Sequence, residues 1–355
     1  MEKKEFDVIT IGSATMDAFI ESDKASVVNV STIDHNTELM AFPYGSKLEI
    51  TDFTLSSGGG GINTAANFAN LGLKTSTIIK LGEDNVKETI LKLLKEKNVD
   101  TSNAIISNKI GSGFSVILVS FQGDRTVLAH RGANSKITKQ DINFDAIKKS
   151  KWLYVAPLAG DSNKVLDEIA QFAEENGTNL AINAGTTAIK KGANYFSKII
   201  KTAEILVLNK EEAQMLTKIS VRPDTKEIFY SKEDIHPDIK TMLQKLRENS
   251  EAIVVITDGK HGAYAYDGKK MYVCPPFDGP VRSTLGAGDA FASTFTAAIE
   301  RTNWNVELSL KMASVNSSSV VEQFGAQDGL ITFDAIEEKL KNSPDYKVKV
   351  INEIG

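Results

Sequence analysis

The chain has 355 residues, 41% hydrophobic and 25% charged, which is enough to bury a large core and too apolar for a disordered chain. A formal net charge of −5 with no Lys/Arg-rich block excludes a phosphate-tracking nucleic-acid surface, and no apolar run approaches the roughly 20 residues of a membrane helix. The single cysteine, Cys274, excludes an internal disulfide, and Met1 to Glu5 pass straight into apolar Phe6 to Ile11 with no signal-peptide region, so a reducing cytoplasm is expected.

Taken along the chain, short β-branched runs alternate with amphipathic stretches, as in βαβ units that close a mostly parallel sheet of an α/β protein. Strands are predicted at Val8–Ile11, Thr77–Leu81, Trp152–Val155, Leu180–Asn183, Ile205–Leu208 and Ile253–Thr257. Helices are predicted at Asn63–Leu71, Val86–Lys97, Lys164–Glu175, Lys210–Leu216, Ile239–Asn249, Gly288–Glu300, Leu308–Phe324 and Phe333–Lys341. Residues 18 to 56 and 110 to 132 break the alternation and read as extended hairpin material, with Gly123-Asp124 as a two-residue turn signal. Cys274 falls in a strand and reads as a small buried apolar residue.

Two glycine-rich segments each open a helix. The upstream one is Ser57-Gly58-Gly59-Gly60-Gly61-Ile62-Asn63, and the downstream one is Thr284-Leu285-Gly286-Ala287-Gly288-Asp289. At the second, the backbone N–H groups of Gly286, Ala287 and Gly288 face outward without intrahelical partners, and the helix dipole adds positive charge. This is an anion cradle, and Asp289 beside it is placed to accept a proton from an attacking hydroxyl. A tight turn before a helix would leave the same trace at either segment alone. The pair, a glycine run upstream and T-x-G-A-G-D downstream, resembles the two signatures of the ribokinase-like (PfkB) family of sugar and nucleoside kinases, over most of the chain.

The resemblance implies a ribokinase-like three-layer sandwich: one domain over residues 1–355, with a mostly parallel central sheet and a small β lid built from segments of about 18–56 and 110–132. In that family the lid covers the substrate and often contributes to a homodimer. Asp289 matches the catalytic aspartate, with Gly286, Ala287 and Gly288 as its anion hole. Gly12-Ser13-Ala14-Thr15-Met16-Asp17 resembles the sugar-binding G-S-x-N-x-D run, so Asp17, Gly58, Gly59 and Asn63 are expected to bind substrate. Asn209, Thr257, Gly259, Gly262 and Asn316 are expected to bind ATP, and Glu212, through water, Mg²⁺. The spacing of Asn209 and Glu212 also reads as a helix capping box.

Several positions depart from the pattern. Ser283 stands where an aspartate helps hold a monovalent cation, which leaves potassium activation open. Thr15 replaces Asn, Gly60 occupies a lysine position, and Val155 replaces a substrate-binding glutamate, which sets ribose itself in question. Arg125 and Arg131 are placed either to meet an anionic substrate group or to decorate the lid rim. No G-x-G-x-x-G follows an early strand, no P-loop occurs, and the four histidines lack metal-ligand spacing. The expected activity is transfer of the ATP γ-phosphate to a hydroxyl of a small sugar or sugar acid. Two alternatives remain: a nucleoside kinase, with Phe42, Tyr44 and Phe53 near the base, and a catalytically silent nucleotide-binding regulator.

Overall fold

The computed structural model describes residues 4–31, 36–119, 125–222, 235–248 and 250–352. Nine strands form the central sheet in the order Lys349–Asn352, Lys270–Cys274, Ala263–Tyr266, Ile253–Thr257, Ile205–Asn209, Asn179–Asn183, Ser150–Val155, Phe6–Ile11 and Thr75–Ile78. Those from Ile253–Thr257 to Thr75–Ile78 run parallel, and the remaining three continue antiparallel.

Period-two alternation along each parallel strand splits the core into two layers. Ile9, Leu153, Leu180, Leu206 and Val254 point to one face, against helices Leu166–Asn176, Ala193–Thr202, Lys210–Thr217 and Pro237–Arg247. Val8, Trp152, Ala181, Val207 and Val255 point to the other, against helices Gly60–Asn70, Ala287–Arg301, Val306–Val321 and Phe333–Lys341. Helices thus cover both faces, as a parallel sheet requires. The predicted strands and helices reappear with boundaries shifted by a few residues, except that Thr77–Leu81 is divided between Thr75–Ile78 of the central sheet and Lys80–Gly82, which pairs with Ile105–Ser107 instead. The stretch expected from Lys164 begins as a 3₁₀ turn, Gly160–Val165, and becomes α-helical at Leu166.

Phe6–Ile11 lies between Ser150–Val155 and Thr75–Ile78, so the chain leaves it toward one side and later resumes on the other. In open α/β sheets such a switch point opens a crevice at the strand carboxyl ends. The two segments predicted as lid material supply a four-stranded sheet in the order Arg125–His130, Gly113–Val119, Thr15–Glu21 and Asp52–Gly58, together with the hairpin Ser26–Ser31 and Asn36–Ala41. The Gly123-Asp124 turn lies outside the described residues.

Register assigns the lid faces. Asp17 pairs with Ser56 and Ser115, and Phe19 with Thr54 and Ile117, so these six side chains share one face. Ala18, Leu55, Val116 and Leu128 form a row on the opposite face, and Phe53, Ile20 and Leu118 form the next. Phe42, Tyr44 and Phe53 are exposed rather than packed into a lid core.

Candidate active site

The crevice is built on backbone-to-backbone contact. Gly12 follows the central Phe6–Ile11 strand, and a Cβ on it would lie 2.6 Å from the Gly61 nitrogen. The Gly61 N–H donates to the Ser13 carbonyl at 2.9 Å, and Thr10 Oγ1 donates to the Gly61 carbonyl at 3.0 Å. Gly59 takes φ +99°, a left-handed value that side chains disfavour, and a Cβ there would strike the Ser13 carbonyl. The glycine run is therefore compressed onto the end of the sheet, and helix Gly60–Asn70 starts from it.

A carboxylate approaches each end of that run. A Cβ on Gly58 would meet Asp17 Oδ2, and one on Gly60 would lie 3.5 Å from Asp289 Oδ1. Two Cα steps separate these glycines, at most ~7.6 Å. Asp17 is 8% exposed; burial raises its pKa, against the hydroxyls of Ser115 and Thr15, which stabilise the carboxylate.

Asp289 sits in the first turn of Ala287–Arg301, whose cap residue Gly286 has φ 78°, ψ −8°. A Cβ on Gly286 would collide with Ala326, which explains the glycine. No protein acceptor is found for the Gly286, Gly288 and Asp289 N–H groups among the described residues, and Ala287 N–H makes only a long 3.4 Å contact with the Thr284 carbonyl. A Cβ on Gly288 would meet nothing within 4 Å, which leaves room for an anion to approach the cradle. Burial raises the Asp289 pKa, opposed by Asn63, whose Nδ2 donates to Asp289 Oδ2 at 2.8 Å. Tyr154, buried on the sheet side, is pushed well above its ordinary pKa by burial first and then by Asp289, so it stays neutral beside the carboxylate.

Along the same edge, Pro157 packs on Gly185, and Thr186 Oγ1 donates to Glu212 Oε1 at 3.2 Å. Asn209 and Glu212 form the reciprocal capping box: Glu212 N–H donates to Asn209 Oδ1 at 2.8 Å, and Asn209 N–H to Glu212 Oε2 at 3.1 Å. Glu212 is buried and its pKa is raised, burial being the largest cause. Thr257 pairs with Asn209 across adjacent strand ends, and the Lys210–Asp258 ion pair at 2.5 Å joins the turns that follow them. Gly259 and Gly262 shape the turn after Thr257, and His261 is exposed on it. Asn183 is partly buried at the end of its own strand.

Asn316 sits in helix Val306–Val321. It is fully buried, its Nδ2 donates to Asn67 Oδ1 at 2.9 Å and Thr294 Oγ1 at 2.8 Å, and its Oδ1 accepts from Ile331 N–H at 3.1 Å. Its amide groups are engaged between helices. Val155 likewise points into the apolar core, and Ala156 and Pro157 are the residues of that strand end that meet the glycine run. Arg131 is exposed, and the Arg125 side chain lies outside the described residues. Cys274 is buried in its strand, and its thiol is pushed up to about 11 by burial.

Sequence reasoning missed two groups. Gln327 Nε2 donates to Asn63 Oδ1 at 2.9 Å and to Ser57 Oγ at 3.3 Å. Asn67, in the helix opened by the glycine run, donates to Ser293 Oγ at 2.8 Å and Thr294 Oγ1 at 2.9 Å, and Ser293 Oγ in turn donates to the Asp289 carbonyl. The only signal for Asn67 was a polar residue at a helix position facing an apolar layer. A cavity of about 940 Å³ opens beside the lid edge strand, bordered by Ser57, Ser283, Thr284 and Gln327.

Residues 8–332 match the model of the pfkB family carbohydrate kinases. The chain is 25% identical over 354 residues to the 5-dehydro-2-deoxygluconokinase of Geobacillus thermodenitrificans, covering 96% of this chain and 95% of that protein. The structure of Arabidopsis thaliana ribokinase complexed with ribose and ATP superposes with TM-score 0.77 at 19% identity, covering 95% of this chain and 99% of that one. The Methanocaldococcus jannaschii nucleoside kinase superposes with TM-score 0.72 at 19% identity, over 96% and 99%.

Replacing Asn67 by Leu leaves Ser293, Thr294 and Asn316 each one buried hydrogen bond short. The expected loss is about 1–3 kcal/mol of unfolding free energy, measured by urea titration.

Proposed function

Because the chain belongs to the PfkB family of carbohydrate kinases, we propose that it transfers the γ-phosphate of ATP to a hydroxyl of a small sugar or sugar acid held over the glycine run between Asp17 and Asp289. The observation that carries this reading is the Asp289 carboxylate, set within 3.5 Å of a Cβ position on Gly60 and in the first turn of the cradle helix. The similarity to a 5-dehydro-2-deoxygluconokinase supports the sugar-acid side of the class.

In this mechanism Asp17 accepts hydrogen bonds from acceptor hydroxyls, and Gly58 and Gly59 let the acceptor lie close to the backbone. The attacking hydroxyl gives its proton to Asp289 as its oxygen bonds to the γ-phosphorus and the bond to the β-phosphate oxygen breaks. The N–H groups at Gly286, Ala287 and Gly288 are already oriented as charge gathers on the moving phosphoryl oxygens, so no reorganisation is needed. Asn209, Thr257, Gly259 and Gly262 form the nucleotide side of the strand-end rim. Glu212 fits Mg²⁺ held through water, since its hard carboxylate oxygens keep lone pairs beyond those used in capping. Bound there with ATP, Mg²⁺ supplies positive charge to the phosphate oxygens. Ser283 offers a hydroxyl, which accepts from Leu285 N–H at 3.3 Å, where the cation-dependent form has a carboxylate.

The nucleoside reading is weakened by register. Phe53 lies on the lid face opposite Asp17, and Tyr44 is fully exposed, so neither is placed to stack on a base bound beside Asp17.

Coupled ADP release across pentoses, hexoses, sugar acids and nucleosides tests the class. Turnover on a sugar or sugar acid is expected, and turnover on nucleosides alone would overturn it. Asp289→Asn is expected to lower kcat by about 10² to 10⁴ while ATP binding by calorimetry persists. Since burial raises the Asp289 pKa, kcat should fall as pH drops through that raised value, the base being active only when ionised.

We also assign the outer lid face to a homodimer. Leu55, Leu128 and Phe53 are each more than half exposed on one side of the sheet, an apolar surface that a second lid would cover. Sedimentation equilibrium should give a dimer that Leu128→Glu converts to monomer, and a monomeric parent protein would contradict the assignment.

A further inference from the structure

Among the described residues the candidate base has one side-chain hydrogen-bond partner, and that partner is itself held. Asn63 Nδ2 donates to Asp289 Oδ2, while Asn63 Oδ1 accepts from Gln327 Nε2 at 2.9 Å. Gln327 stands in the turn after helix Val306–Val321, 264 residues away in sequence, and both amides are at least nine-tenths buried. A primary amide presents a donor on one side and an acceptor on the other, with nearly the same shape in either orientation. Rotated by half a turn, Asn63 would set its carbonyl against the Asp289 carboxylate. That arrangement repels while Asp289 is ionised and becomes favourable only once Asp289 carries a proton. With Gln327 Nε2 facing it, as observed, Asn63 keeps that bond only with Oδ1 toward Gln327 and Nδ2 toward Asp289.

We propose that Gln327 is a positioning residue that locks the Asn63 amide with its N–H toward Asp289, and so keeps Asp289 a proton acceptor. The inference rests on Asp289 acting as the general base. Gln327 touches neither the acceptor nor the phosphate in this account. It acts through Asn63, and its second bond to Ser57 Oγ ties the same amide to the root of the lid edge strand. The other titratable or charged side chains on the elements around Asp289 are Tyr154 from the sheet, Arg282 before the cradle, Asp328 in the turn with Gln327, and Asp17 above Gly58. Tyr154 stays neutral, and none of the four is a hydrogen-bond partner of Asp289, which leaves Asn63 as the group that opposes its desolvation.

The test is the pH profile of kcat at saturating ATP and acceptor for the parent enzyme, Gln327→Leu, Gln327→Glu and Asp289→Asn. Leu is close in size and has no donor. Glu keeps the shape and, once ionised, offers Asn63 only acceptors. Both variants are expected to move the acidic limb of kcat upward by about one pH unit, with most of the activity recovered at high pH and the KM for ATP unchanged. A structural role alone would lower kcat equally at every pH. An acidic limb that stays in place in whichever Gln327 variant remains folded, judged by its thermal midpoint, overturns the proposal. Asp289→Asn separates the two levels of argument. If its residual activity still shows the limb, the base assignment itself falls. If the limb is lost there yet unmoved in the Gln327 variants, only the role of Gln327 falls.

Discussion

The constraint that places the candidate site is the contact between Gly12 and Gly61, where two backbones meet with no room for a side chain on either. Everything chemical is placed from it. The Gly61 N–H bond to Ser13 and the Thr10 hydroxyl bond to the Gly61 carbonyl pin the start of helix Gly60–Asn70 to the end of the sheet. That helix brings Asn63 to Asp289 and Asn67 to Ser293 and Thr294 in the same interface. Since Asn316 joins that second cluster, three helices are fixed relative to one another by buried amides and hydroxyls, while apolar packing supplies the bulk of the contact. Amides have fixed donor and acceptor directions, so they set the relative placement of helices more tightly than methyl groups do.

Electrostatics follow the same division. Asp161 and Asp238 at the surface are drawn down to about 2 by Lys136 and Lys164, and by Arg222, respectively. Asp17, Glu212 and Asp289 instead have their pKa values raised, because burial outweighs neutral donors: hydroxyls for Asp17, a backbone N–H and a hydroxyl for Glu212, and one amide for Asp289. A cation beside Asp289 would make it a weaker base, and full solvation would stabilise the charge it must give up. An uncharged amide opposes the desolvation without the stronger lowering a cation would bring.

Much of this was legible in the linear chain. The glycine runs and the aspartate at 289 marked both helix starts, and alternation of apolar residues gave the parallel strands within a few positions. The capping box of Asn209 and Glu212 was also visible in its spacing and is present as drawn. The helix-joining bonds of Asn316 were not legible, because a polar residue in a Ser/Ala-rich helix looks the same whether it faces a ligand or a neighbouring helix. Its partner Asn67 lies 249 residues away. Among the lid aromatics, Phe53 is exposed because Asp52–Gly58 is an edge strand, and strand order is not written in a hairpin pattern.

The sequence by itself determined the local devices: which segments become strands, where helices begin, and which backbone positions admit only glycine. Those depend on residues a few positions apart, through periodicity, capping and steric limits on φ. The tertiary structure alone decided which devices meet. The Asn63 amide reaches Asp289 across 226 residues, and Gln327 reaches Asn63 across 264, because both depend on the switch in strand order around Phe6–Ile11 and on the return of the chain over the cradle helix. Such meetings are set by the summed packing of two core layers, and no local pattern records that sum.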